Sequence, residues 1–209
     1  MSKWAEKQAV GLGGSAGTGK DAVFQILDRL GAYTIDSDEI ANRVILRGAP
    51  GYQPIVKSFG GRILDQTGQI DRSRLYHIVL SNRQARDNLQ AIIDPLINQA
   101  LITLIEQTKQ SVVVVKATNL NKFGLLELCD RVWVTTAPEE VQVANLARKN
   151  NWSEEHARQY IQKLPQVDVQ LAHADFVLYN KGSRGALLKQ VTEVWQGLEI
   201  GRASCRERV

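Results

Sequence analysis

Gly14-Ser15-Ala16-Gly17-Thr18-Gly19-Lys20 stands between an apolar run, Ala9-Val10-Gly11-Leu12, and the helix-forming stretch Asp21-Ala22-Val23-Phe24-Gln25-Ile26-Leu27. Glycines at this spacing let the backbone curl so that successive N–H groups point inward, and the helix that follows offers its positive end. Such a cradle suits a polyanion. Strand, glycine loop, Gly-Lys and helix together predict that Gly14, Gly17, Thr18, Gly19, Lys20, Asp21 and Ala22 hold the phosphates of ATP, with the Lys20 ammonium on the β and γ groups.

The residue after the lysine departs from that pattern. Loops of this kind end in Ser or Thr, whose hydroxyl ligates magnesium, whereas this chain has Asp21. Three roles are open to it: a carboxylate that ligates the metal directly, an acid favoured at a helix start by the dipole, or an ion-pair partner that draws Lys20 away from phosphate. A carboxylate about 4 Å from phosphate oxygens repels them by roughly 4 kcal/mol at an effective dielectric near 20 unless a cation lies between.

Tyr33-Thr34-Ile35-Asp36-Ser37-Asp38 brings two more acids to the carboxyl end of a short strand, the edge of an open α/β sheet where ligands sit. Asp36 and Asp38 are candidates for chemistry at that edge; the alternative is that these positions cap the next helix, with Ser37 or Asp38 as N-cap. Arg148, Lys149 and Arg158 are candidates to close over ATP and stabilise the leaving phosphate charge, or else are solvated helix cations. His77, His156 and His173 have no metal-ligand spacing, and Trp133 and Trp195 read as core.

The elements that position these groups alternate. Apolar spacing predicts a helix from Lys20 to Leu30 capped near Gly31, then a strand over 33–38 and a helix from Ile40 to Leu46. Residues 48–68 carry five glycines and two of the five prolines, which predicts loops around one short helix. Helices follow over 74–80 and 83–108, the second broken at Pro95. Ser111-Val112-Val113-Val114-Val115 reads as a strand buried on both faces, Arg131–Thr135 as the next. Pro138-Glu139-Glu140 opens a helix to about Lys149, Ser153 caps another, Ala174–Tyr179 is the last strand and Arg184–Trp195 the closing helix. The implied fold is α/β: a three-layer phosphate-loop sandwich of about five mostly parallel strands with helices on both faces and a small helical lid over 139–165.

The 209 residues are 44% apolar, enough for one packed domain over 1–198. A net charge of +4 suits a polyanionic ligand, yet the cations are scattered along the chain, so nucleic acid is not the expected partner. No stretch of eighteen apolar residues occurs and Met1-Ser2-Lys3-Trp4 leads straight towards the first strand, which points to a soluble, cytoplasmic protein without a membrane partner. Cys129, among leucines, reads as a small buried hydrophobe, and with Cys205 it implies no disulfide framework. Residues 199–209 (Glu-Ile-Gly-Arg-Ala-Ser-Cys-Arg-Glu-Arg-Val) have no apolar period and match a translated sequencing-adapter oligonucleotide. We set them aside as a non-native tail.

The order and spacing of several segments resemble the dephospho-coenzyme A kinases. These are the glycine loop, Ile35-Asp36-Ser37-Asp38-Glu39-Ile40-Ala41, Phe59-Gly60, Gly68-Gln69-Ile70-Asp71-Arg72, Pro95-Leu96-Ile97, Cys129-Asp130-Arg131-Val132 and Ala174-Asp175-Phe176-Val177-Leu178-Tyr179-Asn180-Lys181-Gly182. The resemblance implies transfer of the γ-phosphoryl of ATP to the 3′-hydroxyl of dephospho-CoA, with magnesium, in coenzyme A biosynthesis. It implies that Asp38 takes the proton and that Asp36 supports it or the metal. The chain departs from the family pattern at Asp21, at Asp94 where His precedes the proline, over Thr118-Asn119-Leu120-Asn121-Lys122 where the acceptor segment is Pro-Leu-Leu-x-Glu, and at Asn42. In the lid, Asn145, Lys149 and Lys163 stand in place of two arginines and a glutamine. Two alternatives to the simple kinase remain at this stage: a nucleotide-binding paralogue with a regulatory or partner-binding role, or a kinase for another small acceptor.

Overall fold

The first strand, β1 (Gln8–Gly14), is buried along almost its whole length and lies at the centre of a five-stranded sheet in a computed structural model that describes residues 3–4, 7–164 and 171–206. The side chains from residue 199 onward, Cys205 among them, and the expected end of the lid at 165 lie outside the described residues. With β2 (Tyr33–Asp36), β3 (Val112–Lys116), β4 (Arg131–Thr136) and β5 (Phe176–Tyr179), the order is β2-β3-β1-β4-β5. The pairings of β1 with β3, β1 with β4 and β4 with β5 are all parallel. The three buried strands β1, β3 and β4 are apolar at consecutive positions, as burial of both faces demands.

Register decides what meets the loop. Leu12 pairs with Lys116 and Gly14 with Thr135, so β3 delivers Lys116 and β4 delivers Thr135 to the carboxyl edge where β1 ends. Helix α1 (Lys20–Arg29) starts from that edge and returns Val23 and Leu27, both fully buried, to the sheet beside Val10, Leu12 and Trp133. The closing helix α9 (Arg184–Arg206) adds Leu187, Val191 and Trp195 to the same cluster, so both tryptophans are core residues. It continues beyond Trp195 into the segment set aside as a tail. On the opposite face, a Cβ on Gly11 would lie 3.1 Å from the Cys129 sulfur, which burial pushes up to about 12 with the Asp130 charge adding to it.

The described chain divides into two compact units. One holds the sheet residues up to Ile35, Lys109–Leu120 and the chain from Leu126 on; the other holds Asp36–Thr108 and Asn121–Leu125. The second unit contains α2 (Ser37–Arg43), α3 (Tyr52–Phe59), a single 3-10 turn at Gly61–Ile63, α4 (Arg72–Ser81) and α5 (Arg83–Gln107). Its core is Tyr52, Ile55, Phe59, Ile63, Ile70, Leu75 and Val79. A four-residue helix, α6 (Leu125–Leu128), precedes β4, and α7 (Glu139–Asn150) and α8 (Glu154–Gln162) follow it, packed together through Val143, Leu146 and Ala157. Among the described residues, no helix is long and apolar enough to cross a membrane.

Two expectations need correction. Helix α5 is not broken at Pro95: it runs unbroken from Arg83 to Gln107, with Ile97, Leu101 and Ile105 fully buried after the proline. Burial of that apolar stripe outweighs the missing N–H and the crowding of the carbonyl at 91. Helix α2 starts at Ser37 rather than Ile40, because the Asp36 side chain accepts the Asp38 N–H at 3.0 Å and is itself the N-cap, a role assigned from sequence to Ser37 or Asp38.

Candidate active site

The loop after β1 is built by close approach. Gly17 has φ +78°, and a Cβ there would lie 2.6 Å from the Gln142 carbonyl oxygen, so α7 rests directly on the loop backbone. Asn145, one turn further along α7, donates to the Gly17 carbonyl at 2.8 Å. Gly19 has φ +97°, and a Cβ would meet the Asn180 amide nitrogen at 2.5 Å. That amide donates to the Thr18 carbonyl at 3.0 Å, and Asn180 Oδ1 accepts the Gly182 N–H. The loop is thus gripped from α7 on one side and from the turn after β5 on the other.

Thr18, predicted from its place in the motif, is 2% exposed, and its hydroxyl is shared with the Thr135 hydroxyl at 2.7 Å and with the Ser15 carbonyl at 2.8 Å. Its side chain shapes the loop, which leaves its backbone as the group for a ligand. Ala22 and Val23 both donate to the Gly19 carbonyl, so the helical ladder begins there and the amides before it belong to the loop. The Lys20 ammonium reaches across to the Gly14 carbonyl at 2.7 Å. Ser15, Thr18, Thr135, Gln142 and Leu171 line a shallow cleft beside the loop.

Asp21 has the most distinctive surroundings. Its Oδ1 accepts from Lys116 Nζ at 2.8 Å and its Oδ2 from Lys149 Nζ at 2.5 Å. Burial by itself would raise its pKa, but the two ammonium groups more than offset that and hold the carboxyl at about 2. Of the three roles open from sequence, Asp21 takes the helix-start place, in the first turn of α1, and is also an ion-pair partner, with Lys116 and Lys149 rather than Lys20. Sequence reasoning missed Lys116 altogether: it ends a β-branched strand and has no motif around it. Its side chain is only 14% exposed and its ammonium sits 4.8 Å from the centre of the Phe24 ring.

This donor set does not fit a magnesium ion held directly by Asp21. Magnesium requires oxygen ligands at about 2.1 Å in octahedral array. Both oxygens of Asp21 instead face cations, Lys116 on one and Lys149 on the other. Asp36, the other expected ligand, turns Oδ1 to the Asp38 amide.

The candidate lid cations separate. Lys149 is on Asp21, Arg148 donates to Asn145 Oδ1 at 3.1 Å, and Arg158 pairs with Glu139 at 2.6 Å, tying α8 to the start of α7. In the second unit, Asp94 has a buried Oδ1 with no hydrogen-bond partner; burial pushes its pKa up while Lys122 opposes the rise. A raised acid pKa gives stability that is full below the unfolded value and lost as pH climbs through the folded one. Asp94→Asn is therefore expected to stabilise the protein at pH 8 by on the order of 1 kcal/mol and by less at pH 4. Urea melts at both pH values check this; an equal gain at both would contradict it.

A family model for dephospho-CoA kinase matches residues 8–185. A dephospho-CoA kinase of Bacillus licheniformis is 32% identical over 196 residues, covering 91% of this chain and 98% of its own. One from Geobacillus kaustophilus is 33% identical over 196 residues with the same coverage. Among solved structures, a dephospho-CoA kinase from Campylobacter jejuni has the same fold, with a TM-score of 0.65 at 22% identity over 93% of this chain and 98% of that one. With the match running from β1 into the closing helix, the chain belongs to the dephospho-CoA kinase family.

Proposed function

We propose that this protein is an ATP-dependent kinase that phosphorylates the 3′-hydroxyl of dephospho-CoA in coenzyme A biosynthesis. The observation that carries the reading is the loop itself, which follows the carboxyl end of β1 and whose Gly17 and Gly19 take positive φ and lie too close to Gln142 and Asn180 for any side chain. In this reading the loop amides before Ala22, whose own N–H is taken by the Gly19 carbonyl, and the Lys20 ammonium hold the triphosphate, and Arg148 adds charge from α7. The acceptor oxygen attacks the γ-phosphorus, the bond to the β–γ bridging oxygen breaks, and the acceptor proton passes to the Asp38 carboxylate while ADP leaves. Asp38 is assigned the proton from the resemblance and from its place in the first turn of α2, where Asp36 fixes the backbone. Magnesium would arrive as an ion carried on the phosphates, whose charge it would share.

Residues 1–198 are taken as the working unit, with α7 and α8 as its lid, in the cytoplasm and with no nucleic acid or membrane partner. Removal of 199–209 is expected to leave activity unchanged. Asp38→Asn is expected to keep ATP affinity within about twofold and to lower turnover by about 10²-fold or more. Parallel measurement of ADP and coenzyme A formation, with ATP affinity from calorimetry, checks this; unaltered turnover would remove Asp38 from the mechanism. ADP without coenzyme A from the unmodified protein would replace dephospho-CoA by another acceptor or by water.

A further inference from the structure

We propose that the charge of the bound triphosphate is met in this protein by the Lys116 and Lys149 ammonium groups, held in place by Asp21, so that the metal-free nucleotide is itself a ligand of the site. This rests on the reading that the loop binds a triphosphate and specifies the form it takes.

The geometry is direct. A metal ion ligated by residue 21 has to sit about 2.1 Å from its side-chain oxygen. The groups on those oxygens are ammonium nitrogens at 2.8 and 2.5 Å, one on each oxygen. A divalent cation entering there meets two positive charges at short range, and one of them has little room to withdraw: the Lys116 side chain is largely buried, rises from a strand end fixed in register with Leu12, and lies over Phe24. Removing it from Asp21 would leave a desolvated ammonium without its carboxylate.

Lys149 comes from the last turn of α7, the helix already bonded to the loop through Asn145. Lys149 is therefore brought to the residue directly after Lys20 by a helix that also shapes the loop, and Lys116 by a strand paired with β1. Lys20, Lys116 and Lys149 against Asp21 leave two net positive charges beside a ligand with about four negative ones, the task a divalent ion performs in related sites. The carboxylate that looks like a defect in the sequence then acts as a clamp, since without it two lysines would repel each other at the same place.

Calorimetry of the full chain with ATP, once in excess EDTA and once in excess magnesium, tests this. The expected result is a dissociation constant in EDTA within about fivefold of that in magnesium. Lys116→Met is expected to weaken binding in EDTA by about tenfold or more and to weaken it less in magnesium. The unmodified protein alone decides the matter if that variant does not fold. Binding in magnesium that drops more than about fiftyfold in EDTA overturns the proposal and leaves the triphosphate reading intact. No binding in either buffer overturns both.

Discussion

Gly17→Val is expected to lower Tm by about 5–15 °C and to remove ATP binding. Two terms add. The backbone at φ +78° costs a side chain about 1–2 kcal/mol, and the valine Cβ would stand 2.6 Å from the Gln142 carbonyl and 2.9 Å from its Cα, neither of which is a flexible group that can turn aside. Pushing α7 away to make room costs about 1–3 kcal/mol of overpacking. The same displacement breaks the Asn145 hydrogen bond to Gly17 and moves Lys149 from Asp21. Gly61→Ala, where a Cβ meets nothing within 4 Å, is the matched control and is expected to change neither quantity. Thermal melts and ATP titration of both variants check the pair. A Gly17→Val protein that melts like the control would mean that α7 does not bear on the loop as described.

Lys20→Ala is expected to bring ATP affinity below detection and to reduce turnover by about 10²–10³-fold while leaving the fold intact. The ammonium is the loop's own charge, placed by the first residue of α1 and held over the loop on the Gly14 carbonyl at 2.7 Å. Alanine is an excellent helix former at this position, so the loss is electrostatic rather than structural. Circular dichroism, the melt and the titration on one preparation separate the two. ATP bound by Lys20→Ala as tightly as by the parent would show that the phosphates lie elsewhere.

Much of this architecture was legible because it is local. Glycines at 14, 17 and 19 followed by Lys20 specify a turn whose chemistry is contained in seven consecutive residues, and four consecutive valines from Val112 on specify a buried strand. What escaped was non-local or competitive. The partners of Asp21 come from positions 95 and 128 residues away, and nothing adjacent to Lys116 in the chain marks it. Pro95 read as a helix break because the local penalty was visible and the compensating burial of Ile97, Leu101 and Ile105 was not. At α2 the apolar spacing starting from Ile40 placed the helix three residues late, since a cap at Asp36 acts on backbone amides that carry no hydrophobic period. Thr18 belonged to the motif, yet its hydroxyl meets that of Thr135, a residue that the register of β1 with β4 sets against Gly14.

On the function proposed above, this loop presents the γ-phosphoryl group of ATP to a hydroxyl acceptor. ATP labelled in its γ-phosphorus, incubated with the full chain and dephospho-CoA, tests it directly: the label is expected in the 3′-phosphate monoester of coenzyme A, one for each ADP formed. Label that stays in ATP, or that appears only as inorganic phosphate, would contradict the account.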